Sequence, residues 1–439
     1  MTAFEPLFVP EQLLDAVSGR AWLEAMLETE SALARAEAAV GIVPAEAAVA
    51  IAERCRTELY DFGELLEQGR SAGNPAEPLV RALRDAVGGD DARWVHRGAT
   101  SQDVMDTASM LVTRRALALI LVELDRVAAG LAELAETHRS TPMAARSLLQ
   151  QALPTTFGCK VAGWLVAVLE ARRRLEEVRT ERLAAQLGGA AGTLAVLGSE
   201  GTDVLRLFAA ELELTEPVMP WHTNRTRIAE LGAALDLCAG VLAKIGLDIA
   251  LLAQTEVGEV RERDGGGSST LPQKRNPVRS IFARACAQLV SGHASVLSGA
   301  LAQEHERAAG AWHAEWAALS GALAYTGGAA VAIADAIADL EVDVDRMQRN
   351  LELTGGQILA ERVAFLLGGG SAHEVVREAA LRTSTSGRTF EEELRADDRC
   401  GLSDAELTET LDPTTYLGSA EAFVDRALDA YGRMRSETT

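Results

Sequence analysis

The segment Thr226–Glu256, TRIAELGAALDLCAGVLAKIGLDIALLAQTE, decides the fold class. Its large apolar residues recur in alternating steps of three and four positions, at Ile228, Leu231, Leu235, Cys238, Leu242, Ile245, Ile249 and Leu252. Steps of three and four place these side chains on one face of a helix, and the pattern lasts for more than three heptads. The segment therefore predicts a long helix whose apolar face is buried.

Two further stripes of the same kind flank this segment. They comprise Leu117, Leu121, Leu124, Ala128, Leu131 and Ala135, and Trp22, Met26, Leu33, Ala36 and Val40. Gly41 and Pro44 end the second of these two stripes. Such long helices need equally long partners within the chain or in neighbouring subunits. We therefore expect an all-α fold with a long central helical bundle, and a homo-oligomer.

The composition excludes several classes of function. The chain has 439 residues with 42 Lys and Arg against 64 Asp and Glu, a net charge of −22. A phosphate backbone or an anionic membrane surface requires a basic footprint, so neither nucleic acid nor membrane is expected as a partner. A small anionic substrate remains possible where a few cationic residues concentrate.

The cysteines and the N-terminus predict the compartment. The chain has five scattered Cys without a CxxC pair, a poor pattern for disulfides or zinc. The first residues lack the basic and apolar regions of a secretory signal, and no run reaches 18 apolar residues. We expect reduced thiols, a cytoplasmic location and no bound metal.

The positions of turn-forming residues, long apolar stripes and charged residues along the chain suggest three helical lobes. Residues 1–98 form an N-terminal domain, residues 99–345 carry the long helices, and residues 346–439 form a smaller, charged C-terminal domain. The expectation is thus a three-lobed helical protein.

The glycine-rich segment Gly265–Pro277, GGGSSTLPQKRNP, interrupts the helical pattern. Its three glycines predict a hinge, and Pro272 and Pro277 stiffen the second half of the segment. Its hydroxyls, lysine and amide suit a lid that closes over a ligand. The alternative is a flexible polar linker, but Lys-Arg-Asn-Pro in place of further Gly-Ser weakens that interpretation.

This segment resembles a known signature. Gly267-Ser-Ser-x-x-Pro-x-Lys-x-Asn276 is similar to the signature of the fumarase/aspartase superfamily. His96–Asp106 and Arg146–Gly158 resemble two further regions of that superfamily, so the resemblance covers nearly the whole chain. It implies a homotetramer in which each active site draws these three regions from three different subunits, and it implies no cofactor.

Other segments are similar to the bacterial 3-carboxy-cis,cis-muconate cycloisomerases of this superfamily. They are Ala72–Pro75, Gly98–Asp103, Pro220–Thr223 and Gln303–Trp316. Many lyases of the superfamily carry a proton-carrying His where this chain has Leu148, and adenylosuccinate-type lyases have one near Asn74. These departures favour a cycloisomerase. The two tryptophans of Trp312–Trp316 can alternatively serve as core anchors.

The resemblance implies a reaction through a carbanion stabilised as an aci-carboxylate, with a di- or tricarboxylate substrate. Fixed donors and cations must then face the carboxylate oxygens. The implied catalytic residues are Ser268, which transfers the proton, together with Lys274, Asn276 and Ser101. The implied substrate-binding residues are Thr100, Gln150, Thr155, Arg307, Asn74, His222 and Ser269.

Some of these residues have structural alternatives. Thr155 and Thr156 follow Pro154 and equally suit a helix N-cap. A lone histidine in a helical protein is more often a structural group than a functional one, so His222 can be structural. Asp103 either orients the Thr100-Ser101 turn or caps a helix.

The expected function is cycloisomerisation of 3-carboxy-cis,cis-muconate. One alternative is a C–N or C–O lyase of the same superfamily that releases fumarate from a substituted succinate. The other is a non-catalytic helical oligomer, as in the lens crystallins related to the family. An intact set of Ser268, Lys274 and Asn276 argues against the latter.

Overall fold

The computed structural model describes residues 3–267 and 270–438 of the chain, most of which are helical. The helices are α1 Glu5–Phe8, α2 Glu11–Ala16, α3 Gly19–Ala39, α4 Ala45–Arg54, α5 Phe62–Ala72, α6 Ala76–Val87, α7 Ser101–Thr137, α8 Phe157–Glu177, α9 Gly201–Glu211, α10 Thr226–Leu252, α11 Val278–Gly299, α12 Ala311–Ala338, α13 Val344–Glu352, α14 Ala360–Leu367, α15 Ala372–Ser386, α16 Phe390–Arg395, α17 Asp404–Thr410 and α18 Ala420–Thr438. The all-α fold class is confirmed.

Short antiparallel strand pairs punctuate the helices. The strands are β1 Pro142–Ser147, β2 Gln150–Thr156, β3 Val260–Glu262, β4 Gly266–Gly267, β5 Arg275–Asn276 and β6 Leu340–Val342. They pair as β1 with β2, β3 with β6 and β4 with β5. The first and the last of these pairs lie in segments that contain predicted site residues.

The predicted apolar stripes are buried, except that Val40 at the end of α3 is half-buried. All eight stripe residues of α10 are at most 4% exposed, and Cys238 among them is fully buried. The stripe of α7 is buried along its length as well. Helix α3 ends as predicted, because Gly41 adopts a φ of +80° after Val40 and its N–H donates to the carbonyl of Ala38.

The chain divides into two compact units. The first comprises residues 1–124, 171–244 and 282–332, and the second comprises residues 125–170, 245–281 and 333–439. The division into domains 1–98, 99–345 and 346–439 stays a prediction.

Helix α12 is long and apolar enough to cross a membrane by length and composition. Within the described residues it alone meets that test, and 72% of its apolar window is buried inside the protein. Such burial is that of a core helix rather than of one that faces lipid.

Candidate active site

The start of α7 presents Thr100 and Ser101, two of the predicted site residues. Asp103 lies in the first turn, and its Oδ2 accepts the Thr100 backbone N–H at 3.0 Å. This bond satisfies a donor that the helix itself leaves unpaired. Asp103 therefore both orients the turn and caps the helix.

Asp103 is buried, at 1% exposure, and its carboxylate accepts hydrogen bonds from several segments of the chain. Besides Thr100, its oxygens accept the N–H groups of Gly188 and Gly189, each at 2.9 Å. The ring Nε2 of His222 lies 2.7 Å from Oδ1. His222 is itself only 4% exposed, and its ring contacts the start of α7 through Asp103.

Asp106, in the second turn of α7, belongs to a buried ion triad with Arg225 and Glu315 that the sequence analysis did not predict. Arg225 donates to both carboxylate oxygens of Asp106, at 2.8 and 3.0 Å, and it also contacts Glu315. The three side chains are at most 3% exposed. Burial lowers the pKa of Arg225, but the two carboxylates outweigh burial and leave that pKa raised. The guanidinium is therefore charged at all working pH values.

The Trp-rich segment Trp312–Trp316 contacts this triad and contributes one of its members. Trp312 is buried and donates its Nε1–H to Asp106 at 2.9 Å. Its ring packs edge-to-face on Trp316 with centroids 4.8 Å apart. Trp312 is thus a core anchor that also supplies a hydrogen bond, and Glu315 between the tryptophans supplies the charge.

Arg307 and Asn74 occupy defined places in the first compact unit. The Nη2 of Arg307 donates to the carbonyls of Gly189 at 2.9 Å and Ala190 at 3.3 Å. Asn74 accepts the N–H of Glu77 at 3.1 Å, so its side chain organises the entry into α6. The structure leaves the predicted substrate contacts of both residues as predictions.

Gln150 and Thr155 lie on the β1–β2 hairpin. Gln150 is exposed and pairs with Ser147 beside the tip, whereas Thr155 is half-buried and pairs with Met143. The neighbouring Thr156 accepts the N–H of Cys159 at 3.0 Å and caps α8. The N-cap alternative therefore holds for Thr156 and not for Thr155.

The tip of this hairpin consists of Leu148 and Leu149. Their φ angles are +49° and +65°, and their exposed fractions are 96% and 77%. Both apolar side chains thus point outward from a two-residue turn that Asn-Gly would form more readily. Leu148 is the residue that stands where many lyases of the superfamily carry a His.

A buried carboxylate fixes the β1–β2 hairpin close to its tip. Arg146 forms a two-pronged ion pair with Glu259, at 2.7 and 2.9 Å, and the Glu259 side chain is fully buried. Asn350 donates to the same carboxylate at 2.7 Å. These bonds tie the tip end of the hairpin to Glu259 within the second compact unit.

The glycine-rich segment forms a small hairpin. Gly266 pairs with Asn276, and Gly267 pairs with Arg275. A Cβ on Gly265 would lie 2.7 Å from the Asn276 carbonyl, and one on Gly266 would lie 2.5 Å from Val278. These two glycines are required by close packing, a role that the expectation of a hinge did not include.

A second buried carboxylate anchors the exit of this hairpin. Glu262 is 3% exposed and accepts the backbone N–H groups of Arg279 and Ser280 at 3.1 and 3.0 Å. The Ser280 hydroxyl also donates to it at 2.7 Å. Because these amides open α11, the carboxylate caps that helix and holds the end of the loop.

Lys274 and Asn276 line a cavity of about 990 Å³ in the second compact unit. Its wall also includes Gln254, Glu341 and Asp343. Lys274 is exposed, and its backbone N–H donates to the carbonyl of Leu271 at 3.0 Å. The predicted residues Ser268 and Ser269 lie outside the described residues.

Comparison with known proteins decides the family. Residues 10–292 match the family model described as lyase, and residues 356–427 match the one described as adenylosuccinate lyase C-terminus. The chain belongs to the fumarase/aspartase superfamily. It is an enzyme of that superfamily, and the expectation drawn from the three sequence regions is confirmed.

Two relatives of this chain have names that denote different reactions. Nitrosuccinate lyase of Streptomyces davaonensis is 47% identical over 94% of this chain and 91% of that protein. The 3-carboxy-cis,cis-muconate cycloisomerase of Pseudomonas aeruginosa is 46% identical over 97% of this chain and 95% of that protein. The crystal structure of 3-carboxy-cis,cis-muconate lactonizing enzyme from Pseudomonas putida matches with a TM-score of 0.93 and 42% identity, over 99% of each chain. The similarities to the cycloisomerase and to the lactonizing enzyme support the cycloisomerase interpretation.

Proposed function

We propose that this enzyme is a 3-carboxy-cis,cis-muconate cycloisomerase. The observation that carries the proposal is Leu148, which occupies the tip of the β1–β2 hairpin where many lyases of the superfamily have a His. An apolar side chain cannot move a proton to a departing amine or hydroxyl. A cycloisomerase has no such leaving group, and its nucleophile is a carboxylate of the substrate itself.

The chemistry needs a group that protonates carbon and donors that hold carboxylates. An internal carboxylate of the muconate attacks the double bond, and the electron pair moves onto the carbon next to another carboxylate as an aci-anion. Ser268 then gives that carbon a proton, and the product is a carboxymuconolactone. Lys274 and backbone N–H groups stabilise the resulting seryl oxyanion.

Donors in the first compact unit suit the substrate carboxylates. The Thr100-Ser101 turn opens α7, where N–H groups and the helix dipole favour negative charge. Arg307 adds a guanidinium whose Nε and Nη1 N–H groups can donate to a carboxylate. An anionic substrate needs such local donors in a chain whose net charge is −22.

The second candidate is a C–N lyase that releases fumarate from a substituted succinate. The 47% identity to a nitrosuccinate lyase favours it specifically. Its leaving group would be nitrite, which departs as a stable anion and needs no proton from a side chain. Leu148 is compatible with this one lyase chemistry, so the two reactions must be separated by assay.

Two assays separate the candidates. Loss of ultraviolet absorbance with 3-carboxy-cis,cis-muconate reports lactonisation, and release of nitrite with fumarate from nitrosuccinate reports elimination. We expect the first activity with a kcat/KM at least tenfold above the second. The reverse ranking would assign the enzyme to the lyases, and silence in both would favour a non-catalytic oligomer.

Substitution of Ser268 tests the assigned proton transfer. Ser268→Ala is expected to lose at least a hundredfold in kcat, the usual size of a positioned proton-transfer group. Helical circular dichroism and oligomer mass should remain unchanged. Thr270→Val is the matched control in the same loop, and wild-type rates in Ser268→Ala would contradict the assignment.

The assembly and the compartment belong to the same proposal. We infer a homotetramer whose active sites combine the Thr100, hairpin and glycine-loop regions of three subunits, acting on a small di- or tricarboxylate in the cytoplasm. The long helices and the free state of the cysteines in the described chain support this inference. The acidic net charge agrees with a role away from nucleic acids and membranes.

A further inference from the structure

One residue, Gly189, connects the Asp103 carboxylate to Arg307. The N–H of Gly189 donates to Asp103 Oδ2 at 2.9 Å, and its carbonyl accepts Arg307 Nη2 at 2.9 Å. The carbonyl of Ala190 accepts the same nitrogen at 3.3 Å. The buried carboxylate and the guanidinium are therefore linked through the backbone of a single residue.

The sequence of this loop is fitted to that link. Gly189 has a φ of +68°, and a Cβ there would lie 2.7 Å from the carbonyl oxygen of Gly98. A Cβ on Gly188 would lie 2.7 Å from the His222 ring. Only glycine allows both backbone N–H groups to reach the carboxylate this closely.

Arg307 keeps donors for a ligand in this arrangement. Both of its bonds to the described chain come from Nη2, and a guanidinium carries five N–H groups. The N–H groups of Nε and Nη1 make no hydrogen bond within the described chain, so they can donate to a substrate carboxylate. Its position depends on the loop carbonyls that it holds.

We propose that Asp103 is a positioning residue that sets, through Gly189, where Arg307 meets a substrate carboxylate. The same carboxylate holds the N–H of Thr100, so it sets the spacing between the start of α7 and the guanidinium. The inference rests on the proposed function because it takes Arg307 as a carboxylate-binding group.

Asp103→Asn is the variant that tests the inference. An amide offers one acceptor oxygen in place of two, and its NH₂ group would face backbone N–H donors. The loop and Arg307 should then shift from their wild-type places. We expect KM to rise at least tenfold, which corresponds to about 1.4 kcal/mol, with a smaller change in kcat.

Thr107→Val is the matched structural control. The Thr107 hydroxyl donates to the Gln186 carbonyl at 3.1 Å and accepts the Gln186 N–H at 2.9 Å. It therefore ties α7 to the same loop without contacting the residues bonded to Arg307. Both variants lose buried hydrogen bonds and should melt at lower temperature, but only Asp103→Asn should raise KM strongly.

A double-mutant cycle with Arg307→Lys separates positioning from general loosening. If Asp103 acts through Arg307, Asp103→Asn should raise KM less than threefold in the Arg307→Lys background. Thr107→Val should change KM equally in both backgrounds. An equal rise in KM for Asp103→Asn in both backgrounds would overturn the inference.

A chemical readout makes the test independent of turnover. Phenylglyoxal modifies accessible guanidinium groups, and peptide mass spectrometry measures its rate at Arg307 against Arg70, whose side chain is 78% exposed. Asp103→Asn should speed modification of Arg307 several-fold, whereas Thr107→Val should not. Equal rates in the two variants would contradict the inference even in a protein that is inactive on carboxymuconate.

A failure of the proposed function can therefore be distinguished from a failure of this inference. A wild-type protein that does not lactonise carboxymuconate overturns that proposal, while the modification rates still decide the role of Asp103. If Asp103→Asn does not fold, His222→Leu replaces it, because it removes one of the four donors to the carboxylate. It should shift the rate at Arg307 in the same direction, and no shift would contradict the inference.

Discussion

At the scale of single residues, Glu37 is the most unusual titratable group. Its side chain is fully buried, and in the part of the chain that the structure describes neither of its oxygens has a hydrogen-bond partner. Burial, with a smaller contribution from Glu30, raises its pKa to about 9. The folded protein therefore holds a neutral carboxylic acid at neutral pH, as burial of an uncompensated charge is strongly unfavourable.

Glu37→Gln should stabilise the protein at neutral pH and above. The unfolded chain loses this proton near its ordinary pKa and the folded chain near pH 9, so wild-type stability falls as the pH rises between these values. Glutamine does not titrate, and its advantage should reach on the order of 3 kcal/mol at pH 7 and vanish near pH 4. Thermal melts at several pH values measure it.

Glu30→Gln is the control for this prediction. Glu30 lies 2.6 Å from His96 Nδ1, and although burial lowers the pKa of His96, the Glu30 carboxylate outweighs burial and leaves it raised. Removing that charge should destabilise the protein at neutral pH. A Glu37→Gln variant whose stability advantage did not change with pH would contradict a neutral Glu37.

The residue scale also shows what sequence could not reveal. The signature regions predict Thr100, Lys274 and Asn276 as site residues, since their types and spacing are local, and this stays a prediction. Arg225 pairs with Asp106 and Glu315, which lie 119 and 90 residues away in the sequence, and polar pairing leaves no periodic signal. Glu315, a charged residue between two tryptophans, is the one local feature of the sequence that indicates this buried pairing.

At the scale of elements, the β1–β2 hairpin carries the clearest conflict between local preference and structure. Two leucines with positive φ cost about 1–2 kcal/mol each relative to an ordinary conformation. Exposed apolar side chains add nothing to the stability of the isolated chain. Such a conflict is typical of functional sites.

Replacing the tip by Asn-Gly should separate stability from activity. Leu148→Asn with Leu149→Gly is expected to raise the free energy of unfolding by about 1–2 kcal/mol, because Asn and Gly tolerate positive φ. Turnover should fall at least tenfold, since the proposed function assigns this region to an active site. Denaturant titration and steady-state rates measure both effects.

A double alanine variant controls for the side chains. Leu148→Ala with Leu149→Ala keeps the positive φ angles and removes most of the apolar surface. It should lose activity without gaining stability. If the Asn-Gly variant kept full turnover, the tip would have no part in the active site.

Helices and hairpins differed in how well the sequence predicted them. The stripes of α7 and α10 extend over many turns, so their period is unambiguous. The strands are short, and the β1–β2 turn contains Leu-Leu in place of the usual turn residues. The hairpin at Gly266 depends on packing against Asn276 and Val278, which no local pattern encodes.

At the scale of the whole molecule, the inferred homotetramer predicts that subunits share active sites. Ser101→Ala and Ser268→Ala damage two different regions, so each homotetramer should be inactive. Mixed tetramers should regain part of the activity, because some sites would combine two intact regions. Co-expression with two affinity tags, followed by tandem purification and assay, measures the recovery.

The control for this experiment mixes two variants of the same region. Thr100→Val with Ser101→Ala should give inactive mixed tetramers, because no site then has an intact start of α7. Absence of recovery in Ser101→Ala with Ser268→Ala, after mixed tetramers are shown by mass, would mean that each subunit holds a complete site.

The buried thiol of Cys238 in the stripe of α10 gives the molecule a built-in reporter. Burial raises the pKa of Cys238 to about 12, so the thiolate that attacks maleimides is scarce as well as shielded. Alkylation at this position must wait for the longest apolar stripe to separate from its neighbours. The labelling rate of one native sulfur atom therefore times the opening of the bundle, without any probe being engineered into it.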